Sequence, residues 1–460
     1  GFVTVWASEG RSYTLGVAMK GLKISDSGRH LAREDGTPFF WLGDTAWELF
    51  HKLNREDARH YLTCRAGQGF NVVQAVALAE FEGVTTGNAY GRLPFLRNAE
   101  GRIDPTLPDE GGDYSYWDHV DDVLEMAGAM GIYIALLPTW GDKYNAQHGK
   151  GPEIFTKQNA YEYGKWLGKR YRDTPHLIWV VGGDRVLQTR THFEIVDAMA
   201  RGLKEGDGGR HLITFHPRGN SSSSYHVHGE DWLDFNMIQS GHGEMEPANY
   251  RIIAADYGLT PVKPVLDGEP CYEDIPRAFN TRFGYFDEAD VRRAAYYAVL
   301  SGACGHTYGH HSVWSMCDGM YDSVQMNEPG IFFIMHWKDA LHRPGAGQMR
   351  YVKELWERCR MEDSEPDQQL IASNFAGSNY MAGLRGKRAS LIYCPNGLYA
   401  EVNMERVGAA SVRAEWFNPR DGRYTEAGIF PGEGICKFIC PSSGRGNDWV
   451  LVLTKEDSAA

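Results

Sequence analysis

A single rhythm constrains this chain most: eight short apolar, β-branched runs, each followed by a longer stretch of helical periodicity. The runs lie at residues 39–47, 70–78, 131–140, 177–185, 211–217, 235–242, 263–270 and 306–314. A strand covered by helices on both faces reads as continuous apolar sequence. Joining two parallel strands takes a crossover of about a dozen residues or more, usually a helix. Helices are expected over residues 54–66, 117–130, 159–171, 191–204, 249–257 and 288–300, with the weakest rhythm after the sixth run. The fold class that follows is α/β, a (β/α)8 TIM barrel.

Each run starts apolar and ends polar, at Asp44, Gln74, Thr139, Asp184, His216, His242, Glu269 and a His/Tyr cluster in the eighth. In a barrel the apolar portions fill the interior and the C-terminal tips carry the chemistry. Solvation of a strand end explains any one polar tip, but it explains eight of them poorly.

Past residue 360 the pattern changes to short alternating segments at 390–394, 398–401, 411–418, 434–439 and 449–454, separated by Gly, Pro and Asn. These predict a small antiparallel β-sandwich. The 460 residues suit one large and one small domain. The expected division is a catalytic barrel over 19–361, a linker over 362–367 and the sandwich over 367–460. Residues 1–18 precede a natural-looking start at Met19 and read as a leader or remnant. The alternative is the stump of a signal peptide cut near Val5, Trp6 and Ala7. Ser221–Ser224 reads as a mobile loop.

The net charge is −13, and no block of Lys and Arg could lie along phosphates, so nucleic acid and anionic membranes are not expected partners. No apolar run approaches the roughly 20 residues of a membrane span. Aromatic residues make up 12% of the chain; most belong to the core, and some can stack on sugar rings. A neutral carbohydrate partner fits this composition. The 8 Cys show no zinc spacing and read as free buried thiols. That favours a reducing, bacterial cytoplasmic compartment over secretion.

Cleaving a glycosidic bond needs two carboxyl groups, one to protonate the leaving oxygen and one to act as nucleophile or to activate water. Asp184 ends the fourth run after Gly182 and Gly183, and Glu269 ends the seventh between Gly268 and Pro270. Strands four and seven face each other across a barrel mouth, so these two acids can approach one bond from both sides. Asp184 could instead be an ion-pair partner of Arg185, and Asp267 could do the work with Glu269 in support. Asp44 and Trp47, Gln74, Trp140, His216, His242, Tyr308 and His310 are the expected substrate contacts, with His306 and His311 crowding the same end. Metal-dependent barrel hydrolases place a His pair one residue apart on the first strand, and Gly43–Trp47 holds none; His226 and His228 have that spacing but follow the fifth run. No metal or cofactor is expected.

The stretch from Gly36 to Phe50 (GTPFFWLGDTAWELF), followed by Phe70–Leu78 and Asn88–Gly91, resembles the apiosidase-like proteins of glycoside hydrolase family 140. The similarity runs from about residue 21 to the end, and the C-terminal part is similar to the domain named collagen-binding in that group. The resemblance implies an exo-acting barrel enzyme that releases apiose from plant pectin, notably rhamnogalacturonan II. It also implies an Asp/Glu catalytic pair mapping onto Asp184 and Glu269, with retention of configuration favoured. Large retaining clans carry Asn-Glu where this chain has Gly183 and Asp184, so the acid here is shorter. A glycosidase for another pentose or furanose, and a non-catalytic sugar-binding barrel, are the competing readings.

Overall fold

The computed structural model describes residues 3–6, 12–15, 19–147, 149–319 and 333–456. Eight parallel strands form the barrel: β1 (Trp41–Thr45), β2 (Val72–Val76), β3 (Tyr133–Leu137), β4 (Leu177–Gly182), β5 (Ile213–His216), β6 (Asn236–Gln239), β7 (Val265–Asp267) and β8 (Gly305–Thr307). The ladder runs β5-β4-β3-β2-β1-β8-β7-β6. Between β5 and β6 the ring closes through Asp234 N–H donating to the Ile213 carbonyl at 2.9 Å and the Thr214 hydroxyl donating to the Phe235 carbonyl at 2.7 Å. Every residue of these strands is buried, as covering both faces requires. A small antiparallel sheet of Leu22–Ile24, Leu31–Arg33 and Pro38–Phe39 precedes β1.

Each of the first seven apolar runs contains its strand, and the expected helices form with ends shifted by a few residues. The eighth run departs from expectation: β8 spans three residues, and the chain then turns into the short helix His311–Trp314. His310 causes the turn, because its side chain accepts the Ser312 N–H and caps that helix. The helices Lys157–Arg170 and Arg190–Asp207, which flank β4 in sequence, pack backbone against backbone. A Cβ on Gly202 would lie 2.3 Å from the Tyr161 carbonyl oxygen, and one on Gly206 2.2 Å from that of Lys165. That close seat fixes the helices on either side of the strand that carries Asp184.

Ser221–Ser224 is not a free loop. Ser221–Ser222 pairs antiparallel with β6, and all four residues except Ser224 are buried. Ser222 and Ser224 donate to the two oxygens of Asp256, and Ser223 donates to Asn236 Oδ1. A run of small hydroxyls reads as solvent-loving only until its partners are known. Of residues 1–18, the backbone pairing of Val3–Trp6 with Ser12–Leu15 is described; the cleavage-like Ala7 lies outside the described residues.

The C-terminal part is a sandwich of a six-stranded antiparallel sheet and a two-stranded ribbon. The large sheet is Glu365–Pro366, Ala382–Arg385, Ala389–Cys394, Trp449–Lys455, Ser411–Phe417 and Tyr424–Pro431, in that spatial order; the ribbon is Tyr399–Asn403 with Ile435–Ile439. The segment expected as a linker is folded, with Glu365–Pro366 an edge strand and Asp367 paired to Arg385 and Arg406. The sandwich sits on the barrel helix Glu288–Leu300. Tyr296 stacks on Tyr393 at 5.2 Å, Tyr250 on Tyr380 at 4.1 Å, and Arg292 meets Asp448 at 2.8 Å, both side chains 2% exposed. Cys64, Cys271, Cys304, Cys359, Cys394, Cys436 and Cys440 are free thiols.

Candidate active site

At the end of β4 the chain passes through three residues of positive φ, Gly182, Gly183 and Asp184, at 97°, 108° and 57°. The first two must be glycine for space as well as for conformation. A Cβ on Gly182 would lie 2.6 Å from the His216 carbonyl oxygen, and one on Gly183 2.6 Å from the Gly141 nitrogen. Asp184 pays strain of about 1–3 kcal/mol to hold its unusual φ. The turn delivers its carboxylate into a cavity at the C-terminal end of the barrel.

On the opposite side, the tip of β7 is pinned by two bonds at Gly268. Its N–H donates to the Ile238 carbonyl and its carbonyl accepts Gln74 Nε2, both at 2.8 Å. Glu269 follows, 6% exposed, with Oε1 hydrogen-bonded and Oε2 left without a hydrogen bond beside His216. Tyr272 Oη donates to Oε1 at 2.7 Å and is itself held by Trp47 Nε1 at 3.0 Å. His242 Nε2 lies 3.4 Å from Oε1, and His216 Nε2 lies 2.8 Å from Oε2, off the line of a straight hydrogen bond.

Two backbone amides orient these histidines. Asp184 N–H donates to His216 Nδ1 at 3.2 Å and Tyr272 N–H donates to His242 Nδ1 at 3.3 Å. A ring nitrogen that accepts cannot carry the hydrogen, so in each ring the hydrogen sits on Nε2, facing Glu269. One imidazole therefore ties the backbone of the first acid to the carboxylate of the second.

The two carboxyls are thus driven apart. Burial alone would push Glu269 up, but the two histidines beside it outweigh that and hold it well below the usual carboxylate range. Asp184, whose side chain is 35% exposed to the cavity, is pushed up, first by desolvation and then by the negative charge of Glu269. Arg185 Nη1 reaches Asp184 Oδ2 at 3.2 Å, but its closer bond, at 2.8 Å, goes from Nη2 to Glu80. Burial pushes Glu80 up to about 8. Burial thus favours the protonated form of Asp184 while the histidines favour the ionised form of Glu269, and acid-assisted bond cleavage needs a pair pushed apart in this way.

The cavity has two lobes that share Asp184, Glu269, His242 and Phe279. An aromatic lobe of about 580 Å³ is walled by Trp47, Trp140, Tyr272 and Trp314, with Glu80 and Arg185 at its side. The other lobe, of about 690 Å³ and here called the polar lobe for its amide and charged side chains, is lined by Gln239, Asn249 and Arg251 among others.

Of the expected substrate contacts, Trp47, Trp140 and His242 line the cavity, and His216 lies behind both acids. Asp44, Gln74, Tyr308 and His310 line neither lobe. Asp44, fully buried, is taken by Arg65 Nε at 2.5 Å and Tyr61 Oη at 2.6 Å; Tyr308 donates to Glu273 at 2.6 Å, and His310 pairs with Asp274 at 2.8 Å. Their strand tips are polar because they build this scaffold. Asp267 is also fully buried, bonded by Ser240 and Asn249, and burial pushes it up to about 6. His306 is buried in β8, and His311 stacks on Phe333 at 4.3 Å. The His226/His228 pair lines neither lobe, and His228 bonds Asn236.

Glu80, Tyr272, Phe279 and Trp314 were not expected at the site. All lie beyond the ends of their strands, Trp314 in the short helix after β8 and the others in connecting segments, where only spacing to a strand tip, such as Tyr272 three residues after Glu269, could have hinted at them.

The family model "Apiosidase-like, catalytic domain" matches residues 25–363, most of the chain. The chain belongs to the apiosidase-like family. A second model, "Putative collagen-binding domain of a collagenase", matches residues 366–454 of this apiosidase-like protein. Among solved structures it is similar to a glycoside hydrolase family 5 protein from Bacteroides vulgatus ATCC 8482. The two share 33% identity, with 95% of this chain and 94% of that one covered and a TM-score of 0.86. A second glycoside hydrolase structure shares 33% identity over 96% of this chain and 98% of its own, with a TM-score of 0.84. The comparison with curated proteins returns no match. This apiosidase-like chain is a glycoside hydrolase with a TIM barrel and a C-terminal sandwich. Among its described residues no helix is long and apolar enough to cross a membrane.

Proposed function

We propose that this protein is an exo-acting glycosidase that removes a terminal apiose, or a similar furanose, from plant cell-wall pectin such as rhamnogalacturonan II, by a retaining mechanism. The observation that carries the reading is the opposed pair: Glu269 held well below the usual carboxylate range by two donors on Oε1 and by His216 beside Oε2, Asp184 raised and open to the cavity. In the first step the Glu269 carboxylate attacks the anomeric carbon while Asp184 gives its proton to the leaving oxygen, breaking the glycosidic bond. In the second, Asp184 takes a proton from water, whose oxygen attacks the same carbon and releases Glu269. Tyr272, His216 and His242 hold the carboxylate in line throughout, and the sugar stacks among Trp47, Trp140 and Trp314. On this reading the barrel over 19–361 does the chemistry and the sandwich over 367–460 is a structural module.

Product analysis on a rhamnogalacturonan II digest, together with a panel of chromogenic glycosides, tests it. Release of apiose with retained configuration is expected. Turnover of a different pentoside or furanoside alone moves the substrate assignment, an inverted product removes Glu269 as nucleophile, and binding without turnover makes the barrel a sugar-binding module.

A further inference from the structure

The geometry points to the polar lobe as the subsite for a leaving group that is itself a sugar, with Phe279 as its stacking platform and the amide oxygens of Gln239 and Asn249 as acceptors for its hydroxyls. The inference rests on reading the protein as a glycosidase.

Orientation comes first. Tyr272, which grips the nucleophile, lines the aromatic lobe and not the polar one, so the sugar under attack sits among the tryptophans and the departing group crosses Asp184 into the other lobe.

That lobe is built to receive hydrogen-bond donors. Gln239 is 5% exposed and Asn249 1%, both line the lobe, and neither Gln239 Oε1 nor Asn249 Oδ1 has a partner. The Asn249 amide cannot be turned round to remove the problem, because its nitrogen already donates to Asp267 Oδ2 at 3.1 Å and to the Ala294 carbonyl at 2.9 Å. A buried acceptor with no donor is costly, and sugar hydroxyls supply donors where an aryl or alkyl group supplies none.

Phe279 adds an independent observation. It is 43% exposed, borders both lobes, and follows Ala278 in a turn where both residues are left-handed, with φ of 50° and 55°. The turn is held by Ala278 N–H donating to the His242 carbonyl at 2.8 Å and Phe279 N–H donating to the Pro276 carbonyl at 3.0 Å. Two successive side chains kept in a strained conformation to display an aromatic ring to solvent mark a contact surface. The rim acids Glu244 and Glu246 are paired with Arg277 and Arg293.

Two variants, Gln239→Leu and Phe279→Ala, test the inference independently of each other. The measurement is kcat/KM on an activated aryl glycoside and on a pectin-derived oligosaccharide carrying the same terminal sugar. The oligosaccharide-to-aryl ratio is expected to fall about tenfold in each variant, mainly through KM. An unchanged ratio in both overturns the subsite while leaving the glycosidase reading intact. If the wild-type protein turns over no glycoside, that reading fails instead, and calorimetric titration of the same oligosaccharide decides the subsite. Binding weakened about tenfold by Gln239→Leu supports it, and equal or absent binding overturns it.

Discussion

The barrel mouth and the Arg292–Asp448 cluster at the junction between barrel and sandwich both bury charge, yet they treat it in opposite ways. At the junction, Arg292 spends its donors on Asp448, Gln348 and the Gly446 carbonyl, while Asp448 also accepts from Arg420 and Tyr393. At the mouth, Trp140 Nε1, Arg185 Nε and Gln239 Oε1 are buried without partners, and two carboxyls sit close enough to shift each other. A satisfied network stabilises and specifies a fold; an unsatisfied one waits for a ligand. On the proposed function the junction carries the stability and the mouth carries the chemistry, and each should be breakable without the other.

The largest expected effects are at the mouth. Asp184→Asn and Glu269→Gln should each lower kcat/KM by at least about a thousandfold, with the melting temperature nearly unchanged in both. Should Asp267→Asn prove far more damaging than Glu269→Gln, the nucleophile has been misassigned.

Breaking the junction should give the reverse. Asp448→Ala leaves Arg292 buried and unpaired, so denaturant unfolding should show a loss of about 3–5 kcal/mol, with kcat/KM of the folded protein close to wild type. Cutting the chain near residue 364 uncovers the tyrosine face of helix Glu288–Leu300 and should give an insoluble or strongly destabilised barrel. A soluble truncated barrel with unchanged melting temperature and weaker capture of polysaccharide would instead mark the sandwich as a binding module.

Smaller effects sharpen the picture at the mouth. Tyr272→Phe removes one donor to Glu269 and should cost about tenfold to a hundredfold in kcat/KM, as expected for a hydrogen bond to a charged group. The pH profile follows from the two shifts: the active form has Glu269 ionised and Asp184 protonated. Activity should fall on the alkaline side as Asp184 loses its proton, and on the acid side only below the usual carboxylate range, where Glu269 gains one. In Asp184→Asn, assayed on a glycoside with an activated leaving group, the alkaline limb should disappear; a limb that stays belongs to another group. Exhaustive chelation should change nothing, since two carboxyls suffice for the reaction. Turnover lost with EDTA and restored by zinc or manganese would bring metal chemistry forward.

By itself the sequence determined the architecture and singled out Asp184 and Glu269 as the candidate pair. A parallel strand covered on both faces must be apolar along its length, and a tip at the barrel mouth must turn polar, so both patterns are written locally. Gly182 and Gly183 before Asp184, and Gly268 before Glu269, announce tight turns for a local reason too. What each polar tip faces was decided only by the tertiary structure. Asp44 is consumed by Arg65 and Tyr61 on the next helix, Tyr308 by Glu273 and His310 by Asp274, so none of the three lines the cavity. Asp267 and Glu269 lie two residues apart, yet one is buried against Ser240 and Asn249 while the other faces the cavity, because the chain has left the strand at Gly268. Glu80, Tyr272 and Phe279 reach the site from loops that carry no periodicity. The physical reason is that burial pattern is a property of one segment, whereas a hydrogen-bond partner is a property of two, and the second segment is chosen only when the barrel closes.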